Sequence, residues 1–118
     1  MLMPRDPEVM KFVRETLDFY PADAADWPVE KNREFYKSYC EAFSHPRSEG
    51  VESYDDHVAV PENHVVPTRH YELSGAAESD VTVLFMHGGG FVLGDLDSHD
   101  SICADICAAT GLNLVAVD

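Results

Sequence analysis

The sequence predicts an α/β fold in which two amphipathic helices precede an antiparallel strand pair and a parallel strand–helix–strand unit. Three observations predict it. Two blocks before residue 43 carry apolar residues at helical spacing. Two extended runs, 54–60 and 64–73, then flank a short turn. Finally, two nearly continuous apolar runs, 81–86 and 112–117, bracket one helix-like stretch.

The first helix starts at Asp6-Pro7-Glu8, which offers a capping oxygen, a first-turn proline and an acid at the positive dipole end. Val9, Phe12, Val13, Leu17 and Tyr20 then share one face, and Pro21 ends the helix. A second start follows at Asp26-Trp27-Pro28. Its apolar face is Phe35, Tyr36, Tyr39, Cys40 and Phe43, with Glu30/Arg33 and Glu34/Lys37 spaced for ion pairs. His45-Pro46 closes it. The polar stretch 46–50 reads as the boundary between a helical segment, 1–48, and a sheet segment, 49–118.

Pro61-Glu62-Asn63 is a turn-like spacer whose shortness favours an antiparallel hairpin. The runs 81–86 and 112–117 suit strands buried on both faces and joined by a right-handed parallel crossover. The helix between them spans 98–110, with Asp97 and Ser98 as caps. Ile102, Ile106 and Ala109 form its inner face, and Gly111 is its stop.

Composition narrows the function classes. The chain has 118 residues and 45% hydrophobic content, enough for one small domain with a core. Its 22 acidic side chains against 8 basic ones give a formal charge of -14. That field opposes nucleic acid and anionic membrane surfaces, so no nucleic-acid partner is expected. No apolar run has membrane-spanning length, and residues 1–6 carry no secretory leader. Three cysteines, an odd number, fit a reduced cytoplasmic compartment and not a disulfide framework.

The densest chemical signal is His87-Gly88-Gly89-Gly90-Phe91, directly after a buried strand. Glycines let backbone approach a ligand closely and adopt positive φ, so such a loop can aim N–H groups at a developing negative charge. His-Gly-Gly-Gly-Phe, followed by Gly94, Leu96-Asp97, His99-Asp100, a helix and Leu114-Val115-Ala116-Val117-Asp118, resembles the hormone-sensitive-lipase family of carboxylesterases and lipases. The resemblance covers residues 50–118 well, and the leading helices match that family's cap in pattern.

It implies the N-terminal part of an α/β-hydrolase core with an oxyanion hole built on the N–H groups of Gly89, Gly90 and Gly88. His87 would shape the loop without acting as general base. Phe91, Phe12, Phe35 and Tyr36 would line an acyl pocket. The implied substrate is a small-molecule ester, and no cofactor or metal is implied. The family's nucleophile elbow Gly-x-Ser-x-Gly, acid and catalytic His come later, and none occurs in these 118 residues. The chain alone is therefore expected not to hydrolyse esters, and to need a longer polypeptide, a complementing chain or a homo-oligomer. The strand ending at Met86 should then be an exposed apolar edge. The alternative from the same residues is a non-catalytic remnant or interaction module.

Three other patterns carry less. Ser98-His99-Asp100 spells a triad, but adjacent helical residues do not face one another. His99, Cys103 and Cys107 form an i, i+4, i+8 stripe, which buried thiols explain more simply than metal. Asp55 and His57 share a strand face that reads as solvated. Gly88, Gly90 and Gly94, with Asp118 ending the next strand, suggest a dinucleotide site, but the spacing is G-x-G-x-x-x-G. Asp95, Asp97 and Asp100 also crowd the helix start where a pyrophosphate would bind.

Overall fold

A computed structural model describes residues 6–118; Met1–Arg5, the start of the 1–48 segment and of the stretch read for a leader, lie outside the described residues. Helix α1 spans Pro7–Phe19, and its Asp6 cap accepts the N–H groups of Glu8 at 2.8 Å and Val9 at 3.3 Å. Helix α2 spans Val29–Phe43. Its cap is Pro28, the last residue of the Asp26-Trp27-Pro28 start, and Ala24–Asp26 forms a separate 3-10 turn. The two helices meet through aromatic edges, with Phe12 on Phe43 at 5.5 Å and Phe19 on Phe35 at 5.3 Å. No described helix is long and apolar enough to cross a membrane.

Strands β1 (Val51–Val60) and β2 (His64–Leu73) form the expected antiparallel hairpin, in register from Val51↔Leu73 to Val60↔His64. Its turn holds Glu62 and Asn63 both at positive φ, 68° and 62°. Strand β3 (Thr82–Met86) and strand β4 (Asn113–Val117) run parallel across helix α3 (Asp100–Thr110). The sheet order is β1-β2-β4-β3, so β4 sits inside and β3 at the edge.

Three expectations need correction. Strand β3 is not buried on both faces: Leu84 is 61% and Met86 72% exposed, because α3 covers one face of the sheet and the other face of β3 is open. Helix α3 presents Cys103, Ala104 and Cys107 to the sheet, while Ile102 and Ala109 are exposed and Ile106 sits at the flank. Small residues let the helix approach Tyr71 and Leu114 closely, and those pack the core. The helix also begins at Asp100 with His99 as an uncapped first position, so neither Asp97 nor Ser98 caps it. Gly111 does stop it, at φ 68°, donating its N–H to Cys107 O at 2.9 Å.

The polar stretch after α2 is fastened to α3. His45 Nε2 lies 2.9 Å from Asp105, Ser48 Oγ donates to Asp105 at 2.7 Å, and Arg47 grips Asp100. These side-chain contacts tie the segment after α2 to α3.

Candidate active site

The loop after β3 owes its shape to glycine at two points. At Gly89, φ is 135° and an added Cβ would lie 1.8 Å from Leu93 O. At Gly94, φ is 92° and a Cβ would strike the His87 ring at 2.8 Å. Gly90 and Phe91 both sit at φ 62°, and Phe91 is fully exposed there. The N–H groups of Val92 and Leu93 turn back onto Gly89 O at 3.1 and 2.9 Å. Among the described residues, the N–H groups of Gly88, Gly89 and Gly90 donate to no protein acceptor.

A cleft of about 430 Å³ opens between this loop and the α1–α2 connection. Gly89, Gly90, Val92 and Leu93 form one wall; Tyr20, Ala24, Ala25, Val29 and Asn32 form the other. Asn32 Nδ2 holds that second wall by donating to Ala24 O at 3.0 Å and Trp27 O at 3.2 Å. The four aromatics singled out by sequence lie elsewhere. Phe12 packs on Phe43, and Phe35 packs among Phe19, Tyr20 and Trp27. Tyr36 stacks on Tyr39 at 6.0 Å and faces Gly94 across a small pocket, and Phe91 points to solvent. Burial, then Cys40 beside it, pushes Tyr36 up to about 12.

His87 ties the loop to the neighbouring strand. Its Nδ1 lies 2.7 Å from Gly88 O and its Nε2 lies 3.3 Å from Asp118 Oδ1. The His99 ring stacks on it with centroids 5.4 Å apart. Burial, then the His87 ring, holds His99 below the ordinary histidine pKa.

Ser98 Oγ does meet His99 Nδ1, at 2.9 Å, since neither residue is inside α3. No triad results, because Asp100 turns away to Arg47, Arg69 and Tyr71. Ser98 and Asp95 instead close a reciprocal turn, each accepting the other's backbone N–H at 2.8–2.9 Å. Gly94 therefore opens no helix, and five residues separate it from the start of α3. Cys103 and Cys107 are buried thiols in the core, where burial pushes Cys103 up to about 11. Asp55 is held by Arg69 at 2.6 Å.

Sequence reasoning missed Ala24, Ala25, Asn32 and Arg33. Ala24 and Ala25 belong to a connection without periodicity. Arg33 reads as an ion-pair partner of Glu30, but its Nε donates to Val92 O at 2.8 Å, on the glycine loop.

A family model described as an alpha/beta hydrolase fold matches residues 83–118. The carboxylic ester hydrolase LipN of Mycobacterium tuberculosis is 34% identical over 95 residues, covering 80% of this chain and 24% of LipN. An acetyl esterase of Salmonella typhi is 31% identical over 110 residues, covering 93% of this chain and 32% of that enzyme. A solved esterase of the bacterial hormone-sensitive lipase family shares the fold, with TM-score 0.72 at 20% identity over 98% of this chain and 36% of that one. The chain thus spans about a quarter to a third of the curated relatives named here.

Proposed function

We propose that the glycine loop of this chain, which is similar to esterases and lipases of the α/β-hydrolase fold, is the oxyanion hole of a serine-nucleophile carboxylic ester hydrolase. The observation that carries this is the pairing of unpartnered Gly89 and Gly90 N–H groups with a 430 Å³ cleft. When a serine oxygen attacks an ester carbonyl, the carbonyl oxygen gains a full negative charge. Fixed backbone donors about 2.7–3.1 Å from that oxygen lower the barrier without reorganising. Gly88 is the third donor at the same edge. His87 shapes the loop by joining Gly88 O to Asp118.

The charge pattern supports an uncharged ester over a phosphate ligand. The residues that line the cleft, Tyr20, Ala24, Ala25, Val29, Asn32 and the loop itself, include no charged side chain to pair with a phosphate. In this reading residues 1–48 are the cap and 49–118 the start of the catalytic core. Tyr20, Ala24, Ala25 and Val29 face the acyl or alcohol group of the substrate. The reaction needs no cofactor, and the free thiols Cys40, Cys103 and Cys107 suit the cytoplasm.

The loop stabilises a charge that another group must create. These 118 residues hold no Gly-x-Ser-x-Gly, so the nucleophile comes from sequence outside them, on the same polypeptide or a complementing chain. The test is turnover of a short acyl nitrophenyl ester. The 118-residue chain should show none, and a polypeptide that continues through a nucleophile elbow should show saturable turnover. Turnover by the short chain, or none by the completed one, overturns the proposal.

A further inference from the structure

The glycine loop holds a costly backbone with little side-chain support. Gly90 and Phe91 occupy consecutive left-handed positions, which a phenylalanine rarely adopts. Phe91 cannot anchor itself, since its side chain is fully exposed. A conformation of this sort persists where surrounding contacts over-determine it.

Two of those contacts are local: the turn onto Gly89 O and the His87 contact with Gly88 O. The third is remote. Arg33 Nε donates to Val92 O at 2.8 Å across 59 residues of sequence. Among the described residues it is the one hydrogen bond that joins α1 or α2 to the loop. The carbonyl it takes belongs to the residue directly after Phe91, next to the strained pair.

Arg33 also sits beside Asn32, which fixes the opposite wall of the cleft through Ala24 O and Trp27 O. Two successive residues of α2 thus set both walls. A guanidinium suits the task, because its N–H geometry is rigid and it stays charged at any working pH.

We propose that Arg33 is a positioning residue for the oxyanion loop, coupling the seating of α2 to the aim of the Gly89 and Gly90 N–H groups. This rests on the ester-hydrolase reading above. A misplacement of about 1 Å at a reacting centre costs on the order of 100-fold in rate. Loss of the Arg33 contact therefore acts on kcat more than on KM.

The experiment uses the completed polypeptide and the variants Arg33→Met and Arg33→Lys, with two readouts. Hydrogen exchange reports the Val92 and Leu93 amides, and kinetics with a short acyl nitrophenyl ester report kcat and KM. Arg33→Met is expected to speed both amides and to lower kcat by roughly 10- to 100-fold, with KM changed less. Arg33→Lys, which keeps a cationic donor, should recover part of both effects. Unchanged exchange, or unchanged kcat despite faster exchange, overturns the positioning role. A parent enzyme without turnover overturns the hydrolase reading instead. The exchange arm then still decides whether Arg33 holds the loop.

Discussion

Tyr71 Oη donates to Asp100 Oδ1 at 2.8 Å, joining the most buried side chain of β2 to the first turn of α3. The same carboxylate accepts Arg47 Nη2 at 2.7 Å and Arg69 Nη1 at 3.1 Å. Burial opposes the charge on Asp100, yet the bonds from Arg47, Tyr71 and Arg69 outweigh it and hold the group below the usual carboxylate range. Asp100→Asn removes the charge that two arginines and a tyrosine share. It should cost about 2–3 kcal/mol in urea unfolding. Tyr71→Phe removes one hydrogen bond and should cost about 1 kcal/mol.

The titrating groups set the acid limb of stability. Asp100 has a depressed pKa when folded, so its contribution is full above the unfolded value of about 3.9 and fades as pH falls through the folded value. His99 is also depressed when folded, mainly by burial. Near pH 6.5 the unfolded chain takes a proton that the folded one refuses, so stability already falls there. Thermal unfolding against pH should show two declines. His99→Gln should remove the one near neutrality and leave the lower one.

Gly89 and Gly90 should separate by geometry. An alanine at 89 meets Leu93 O at 1.8 Å, whereas one at 90 meets open space and only the positive φ opposes it. On the proposed hydrolase reading, Gly89→Ala should lower kcat of the completed polypeptide by on the order of 100-fold or more, against a smaller loss for Gly90→Ala. Gly89→Ala should also lower the unfolding midpoint, because its Cβ meets backbone, and Gly90→Ala should move it less.

Much of the sheet scaffold was legible because its signals are local. The capping carboxylate of Asp6, the turn at 61–63 and the stop at Gly111 act within a few residues. The glycine loop was legible for the same reason. Which face of α3 packs was not, since Ile102 outranks Cys103 in hydrophobicity, yet close approach to the sheet favours the smaller side chain. The cleft's second wall was hidden for a further reason. Ala24 and Ala25 gain their role from Asn32, and Arg33 from Val92, and pairings of that range leave no period to read.

The open face of β3 makes a solubility prediction. Leu84 and Met86 stand out on an edge strand with unpaired backbone groups. Leu84→Lys should reduce light scattering of the 118-residue chain at raised temperature. Its unfolding midpoint should change little, because the residue loses few contacts.

Placement of β4 between β2 and β3 also dictates an order of events on the ribosome. The β1–β2 hairpin can close as soon as Leu73 has emerged, being local in sequence. Strand β3 emerges next but has no partner until Asn113–Val117 are synthesised, because its whole register is with β4. For the time it takes to translate that interval, the nascent chain displays an apolar strand together with the glycine loop. A holding chaperone that recognises short hydrophobic segments would meet β3 in this window, well before the Gly89 and Gly90 N–H groups acquire their final aim.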